Sequence, residues 1–237
     1  MGAAKTQRIK RRASGSQHRA ELTRQKILKA GLREFSELGL AGARVDKIAA
    51  RARVNKQILY YHFGNKEMLF GATLASVYNT PFPDELLAPT ATNASAEAEM
   101  GELVSALFKH FRNFEEGTAL IGHENLYRAK HLTPTLRKEI RISVSPVIEA
   151  IQRVVKRGQR DGAFAPDVSV EKLYLTLVAM TMFYFSHAYT LSAILEKDLL
   201  DDDAIAAWKE TVAETVLATL RMQRQQTRKG FARAAGV

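Results

Sequence analysis

Between residues 44 and 66 the chain gathers side chains suited to an anionic, hydrogen-bonding polymer. They are Arg44, Lys47, Lys56, Gln57, Tyr60, Tyr61, His62 and Lys66, with Ile58 as an apolar member. A glutamine amide donates and accepts at once, which matches the N6 and N7 edge of adenine, and an isoleucine can touch a thymine methyl. Tyrosine hydroxyls, an imidazole and a lysine ammonium suit phosphate oxygens, contacts that orient a protein without reading sequence. For Tyr60 and His62 a plain packing role against the preceding helix stays open.

Such residues act together only if a rigid element presents them. Val45, Ile48, Ala49 and Ala52 recur at the i, i+3, i+4, i+7 spacing of one helix face. Asn55 offers a side-chain oxygen that can cap a following helix. In that helix Leu59 and Phe63 share one face, and Gln57 and Tyr61 share the opposite one. One side can be clamped while the other stays free, the plan of a helix-turn-helix whose second helix enters a DNA major groove.

The run RVDKIAARARVNKQILYYHFGNKEMLF resembles the DNA-binding signature of the TetR family of bacterial repressors, and ILKAGLREFSELGLAGA resembles its first helix and turn. The match covers roughly residues 20 to 80. Two places depart from the pattern. Arg53 stands where glycine is commonest in the elbow, and Gln57 and Ile58 replace a small residue and a Thr or Ser. The resemblance implies a repressor acting on double-stranded operator DNA, with a C-terminal helical domain that binds a small organic effector and pairs its last two long helices in a homodimer. Two recognition helices about one DNA turn apart, or a small multiple of it, would call for a palindromic operator.

Composition fits that reading. The 237 residues are 46% hydrophobic and 25% charged, as in a soluble globular chain with room for one or two domains. The formal charge of +10 is uneven. Residues 1–24 carry seven Lys or Arg against one Glu, and residues 25–80 carry nine against four acids. Residues 81–220 are acidic, 20 against 14, and the last 17 carry five basic residues and no acid. One end is thus suited to phosphate and the other is not. Zero cysteines exclude disulfides and thiolate metal sites. The basic N-terminus lacks a following apolar h-region and is not a secretory signal. No uninterrupted apolar run reaches the roughly 20 residues of a membrane span. Leu173 to Leu195 comes nearest but is punctuated by polar residues, and reads as a core helix. A cytoplasmic protein without membrane contact is the simplest fit.

The chain reads as all-α in two domains. Residues 1–20 lack apolar periodicity and are expected to be a disordered basic arm. Residues 21–80 form the DNA-binding domain, with a first helix over Leu22 to Leu38 packed by Ile27, Leu28, Gly31, Phe35 and Leu38, and stopped at Gly39. A fourth helix, Lys66 to Tyr78, turns Leu69, Ala72 and Val77 inward, before the prolines at 81, 83 and 89. Residues 95–225 form the C-terminal domain, and 226–237 a basic tail. Its first helix carries a stripe of Met100, Leu103, Leu107 and Phe111, and Pro134 opens a long helix that reaches Gly158. The last helix keeps Ile205, Trp208, Val212, Val216, Leu217 and Leu220 in register.

For the effector the candidate lining is Phe111, Asn125, Arg128, Tyr174, Phe183, Tyr184 and His187, a mixture suited to an amphipathic organic molecule. Ordinary core and dimer packing competes for each of them, and Arg128 can instead pair with Glu124 four residues earlier. Catalysis finds little support. His110, His123 and His131 lack HExxH spacing, and no serine elbow or glycine-rich phosphate loop is present, so no catalytic residue, metal or cofactor is expected. The rival to a sequence-specific regulator is a helical protein whose basic tails bind DNA non-specifically, an affinity that collapses at physiological salt.

Overall fold

The computed structural model describes the backbone of residues 2–80, 82 and 94–234, and the side chains of residues 15, 17–80, 82 and 94–221. The described residues are helical, without strands: α1 (Gly2–Gly42), α2 (Val45–Ala52), α3 (Lys56–Phe63), α4 (Lys66–Tyr78), α5 (Ala96–Arg112), α6 (Glu115–Leu126), α7 (Pro134–Arg160), α8 (Val170–Leu195) and α9 (Asp202–Ala234). They form two compact units. One comprises residues 1–80 with 119–140, the other residues 81–118 with 141–237.

The first unit is built on α1. Ile27 and Phe35 are fully buried, and Phe35 meets Phe70 of α4 edge to face at 5.1 Å. Gly31 lets α4 approach, since a Cβ there would lie 3.0 Å from the Thr73 hydroxyl. The predicted break at Gly39 is present as a φ of 63° and ψ of −179°, a conformation open essentially to glycine alone. Leu38, predicted inward, is half exposed, and Leu40 beyond the break takes a buried place instead. On α4, Leu69 and Val77 are buried as expected, together with Phe70, Thr73 and Leu74; Ala72 is half-buried.

At both ends the described backbone extends a helix. The backbone of residues 2–20 continues α1. The stretch has no apolar face, but it is rich in Ala, Lys, Arg and Gln and has no proline, which is enough for helical propensity to be consistent. The basic tail likewise continues α9 as far as Ala234. The boundary prolines at 81, 83 and 89 lie outside the described residues.

Residues 119–140, expected in the C-terminal domain, pack with the first unit. His123 contributes its Nε2 to the Ser36 carbonyl of α1 at 3.2 Å, next to the broken turn at Gly39. Glu124 is buried, and its two oxygens accept the His131 backbone N–H and the His131 Nδ1, each at 2.7 Å. The imidazole so fixed lies edge-on to Phe70 of α4 at 5.0 Å.

The second unit has a core of Met100, Val104 and Leu107 from α5, Val147 and Ile151 from α7, Leu177 and Tyr184 from α8, and Val212, Val216 and Leu220 from α9. The predicted stripes on α5 and α9 face this core, and Thr133 and Pro134 begin α7 as expected, the Thr133 hydroxyl accepting the Leu136 N–H at 3.2 Å. Trp208 stacks on Tyr184 at 5.7 Å, and its Nε1 donates to the Met180 carbonyl. By length and composition alone α8 could cross a membrane. Leu173, Leu177, Thr181, Tyr184 and Ala188 place one side of it in the core. Its other side leaves Leu175, Phe183, Tyr189 and Ile194 more than half exposed, so it is a core helix on one side only.

Candidate nucleic-acid interface

The geometry around α3 follows from two turns. The α2 helix ends on Arg53 in the left-handed conformation (φ 57°, ψ 43°). Its N–H reaches the Ala50 carbonyl and the next N–H, of Val54, reaches Ala49, which closes the helix in a Schellman turn. Glycine usually fills such a site, so the arginine carries a cost of about 1 kcal/mol. Asn55 then caps α3 as its sequence position suggests, accepting the Ile58 N–H at 2.8 Å, and Asn65 caps α4 through Met68 in the same way. The cap on α4 was missed because Gly64-Asn65 reads equally well as a plain tight break.

The eight residues of α3 divide between two faces. Leu59 is fully buried and Phe63 is 5% exposed, while Gln57 is exposed and Tyr61 is 86% exposed. Ile58 and Tyr60 are also open to solvent, and His62 is half-buried with its ring edge-on to Tyr61. Tyr60 and His62 are therefore not core residues. No carboxylate lies on α3 itself.

The supporting cations occupy the same neighbourhood in different states. Arg44 and Lys47 are exposed at the start of α2. Lys56 ion-pairs with Asp46 across the two helices, and Lys66 donates to the Ala41 carbonyl at 3.3 Å, leaving two of its three protons free for another acceptor. Sequence reasoning missed Arg24, whose guanidinium stands 5.5 Å over the Phe63 ring and ties α1 to α3. A lone arginine on a basic helix carries no signal of that contact.

Comparison with known proteins bears on this geometry directly. Residues 27–73 match the family model "Bacterial regulatory proteins, tetR family", and residues 97–216 match "Tetracyclin repressor-like, C-terminal domain". The chain belongs to the TetR family. It is 30% identical over 202 residues to the transcriptional repressor NicS of Pseudomonas putida, covering 85% of this chain and 94% of that protein. It is 26% identical to the transcriptional regulator RutR of Escherichia coli, covering 93% and 98%. A TetR-family regulatory protein from Rhodococcus shares the fold, with a TM-score of 0.65 and 17% identity over 84% of this chain and 96% of that one. This TetR-family member is a DNA-binding transcriptional regulator, and its membership assigns it a regulatory rather than a catalytic role.

The candidate effector residues of this TetR-family chain fall in both units. Asn125 and Arg128 belong to the first unit, and both are exposed. Arg128 lies beyond α6 with a φ of 56°, so its expected pair with Glu124 gives way to the Glu124–His131 contact. In the second unit Phe111 and Tyr184 are core residues, and the Tyr184 hydroxyl is satisfied by the Leu199 carbonyl at 2.6 Å. Tyr174 is half-buried, and burial raises its phenol above the usual range. Phe183 and His187 stack on each other at 4.2 Å on the exposed side of α8.

Proposed function

We propose that the chain is a homodimeric repressor that reads a palindromic operator through α3 and is released by a small organic effector. The observation that carries the reading is the split of α3, with Leu59 and Phe63 held inside and Gln57 and Tyr61 presented to solvent. Gln57 and Ile58 would read base edges, and Lys56, Tyr60, Tyr61, His62 and Lys66 would hold phosphates, with Arg44 and Lys47 in support. The family relationship to NicS, which is named a repressor, supports repression.

The exposed apolar side of α8 supports pairing with a second copy, since a soluble monomer rarely leaves so many large apolar side chains together in water. Two heads in one dimer would impose two-fold symmetry on the operator. An effector would act by favouring a conformer other than the DNA-bound one, with reciprocal effects on the two affinities. Such a regulator works in the cytoplasm.

Selection from a random pool of DNA duplexes at physiological salt tests the proposal. A palindromic motif with two half-sites about one helical turn apart, or a small multiple of it, is the outcome predicted. Binding that enriches no motif and vanishes at that salt would instead favour non-specific binding by the basic ends.

A further inference from the structure

Glu34 is a carboxylate that the DNA-reading residues do not use, yet it is 4% exposed in the middle of the basic head. One oxygen, Oε1, accepts the backbone N–H of Arg44 at 3.1 Å. The other, Oε2, lies 4.0 Å from the guanidinium of Arg51. Arg44 is the N-cap of α2 and its own side chain makes no capping hydrogen bond, while Arg51 sits in the last turn of the same helix.

In the usual capping box a Glu or Gln at the third helical position reaches back to the N-cap N–H. Here that position is Lys47, which has no acceptor to offer. A buried carboxylate from α1 takes its place, near the positive end of the α2 dipole. The same carboxylate attracts Arg51 at the other end of α2.

We infer that Glu34 is a positioning residue for the recognition helix, capping α2 from α1 and so fixing how far α3 is turned toward DNA. Only the short Arg53-Val54 turn separates α2 from the Asn55 cap of α3. A rotation of α2 on α1 is therefore passed to Gln57 and Tyr61. The inference rests on the reading of α3 as the DNA-recognition element.

The test compares native protein with Glu34→Gln and Glu34→Leu, and with Glu37→Gln as a control. Glu37 is an exposed carboxylate on the same helix, paired with Arg33, so its loss changes net charge equally without touching α2. Affinities are measured for the duplex the native protein selects and for a scrambled duplex, well below each variant's unfolding midpoint. Glu34→Leu, which removes the acceptor, should lower the ratio of the two affinities about tenfold, the worth of roughly one base contact, whereas Glu34→Gln, whose amide oxygen can still accept the Arg44 N–H, should stay nearer the native ratio and Glu37→Gln should leave it unchanged. If Glu34→Leu lowers the midpoint yet keeps the native ratio, Glu34 is a stability contact only and the inference is wrong. Hydrogen exchange at the Arg44 amide supplies a readout independent of DNA. Protection lost in Glu34→Leu and kept in Glu37→Gln supports the cap, and protection kept in Glu34→Leu overturns it. Should the native protein select no motif, the reading of α3 fails, and the exchange result still decides whether the cap exists.

Discussion

Two substitutions two residues apart on α3 should have opposite consequences. Leu59 is fully buried, so Leu59→Ala removes its side chain from the core of the head and leaves a cavity, at about 2 to 5 kcal/mol. Against a total of about 5 to 15 kcal/mol for a domain this is a large loss. For a head of this size each kcal/mol is worth about 4 °C, so the unfolding midpoint should fall by roughly 8 to 20 °C. Tyr61 is 86% exposed and touches the edge of His62 at 5.4 Å, a contact worth about 0.5 kcal/mol. Tyr61→Ala should therefore shift the midpoint by only about 2 °C. Loss of its hydroxyl from a phosphate should still weaken binding to the selected duplex about tenfold, the scale of one charge-assisted hydrogen bond. Thermal unfolding by circular dichroism and fluorescence anisotropy on labelled duplex separate the two effects. A Tyr61→Ala protein that melts as early as Leu59→Ala, or a Leu59→Ala protein as stable as native, would refute the assignment of faces.

Other perturbations probe the scaffold. Gly39→Ala should cost about 1 to 3 kcal/mol in urea unfolding, because the backbone there suits glycine alone and the new Cβ would meet the His123 ring at 3.0 Å; native stability in that variant would contradict the placement of His123. Glu124→Ala strands the His131 N–H and Nδ1 without their acceptor and should cost about 2 to 3 kcal/mol in the same assay, whereas a neutral result would mean that water replaces the carboxylate. His110, stacked between Phe82 at 4.4 Å and Phe114 at 4.9 Å, has its imidazole held below the ordinary value of 6.5 by burial. The unfolded chain then takes up a proton first as pH falls, so stability is present above about 6.5 and declines as pH drops toward the lowered value. His110→Leu should reduce the fall in melting midpoint between about pH 7.5 and 5.5, and an unreduced fall would assign the acid sensitivity elsewhere.

The sequence was most readable where structure is local. The apolar spacing over residues 45–63 needs only helical geometry to separate Leu59 from Gln57, and the Asn55 cap acts three residues away. Glu34 was not readable in that way, because its partner amide lies ten residues on and its second partner farther still. The seating of residues 119–140 on the head rests on contacts such as Ser36 with His123, 87 residues apart, which no periodicity announces. Large apolar residues all round α8 hide which side faces the core, so Tyr184 and Phe183, adjacent in sequence, could not be sorted into buried and exposed. The N-terminal stretch shows a different limit: absence of an apolar face says that a segment has nothing to pack, and leaves its backbone free to be helical.

Base reading by the solvent-facing side of α3 is decided by duplex selection run in parallel with native protein and Gln57→Ala. The variant should keep the half-site spacing, lose preference at one position in each half-site, and bind the native motif about 1 to 3 kcal/mol more weakly. An identical motif with identical preference at every position would contradict it.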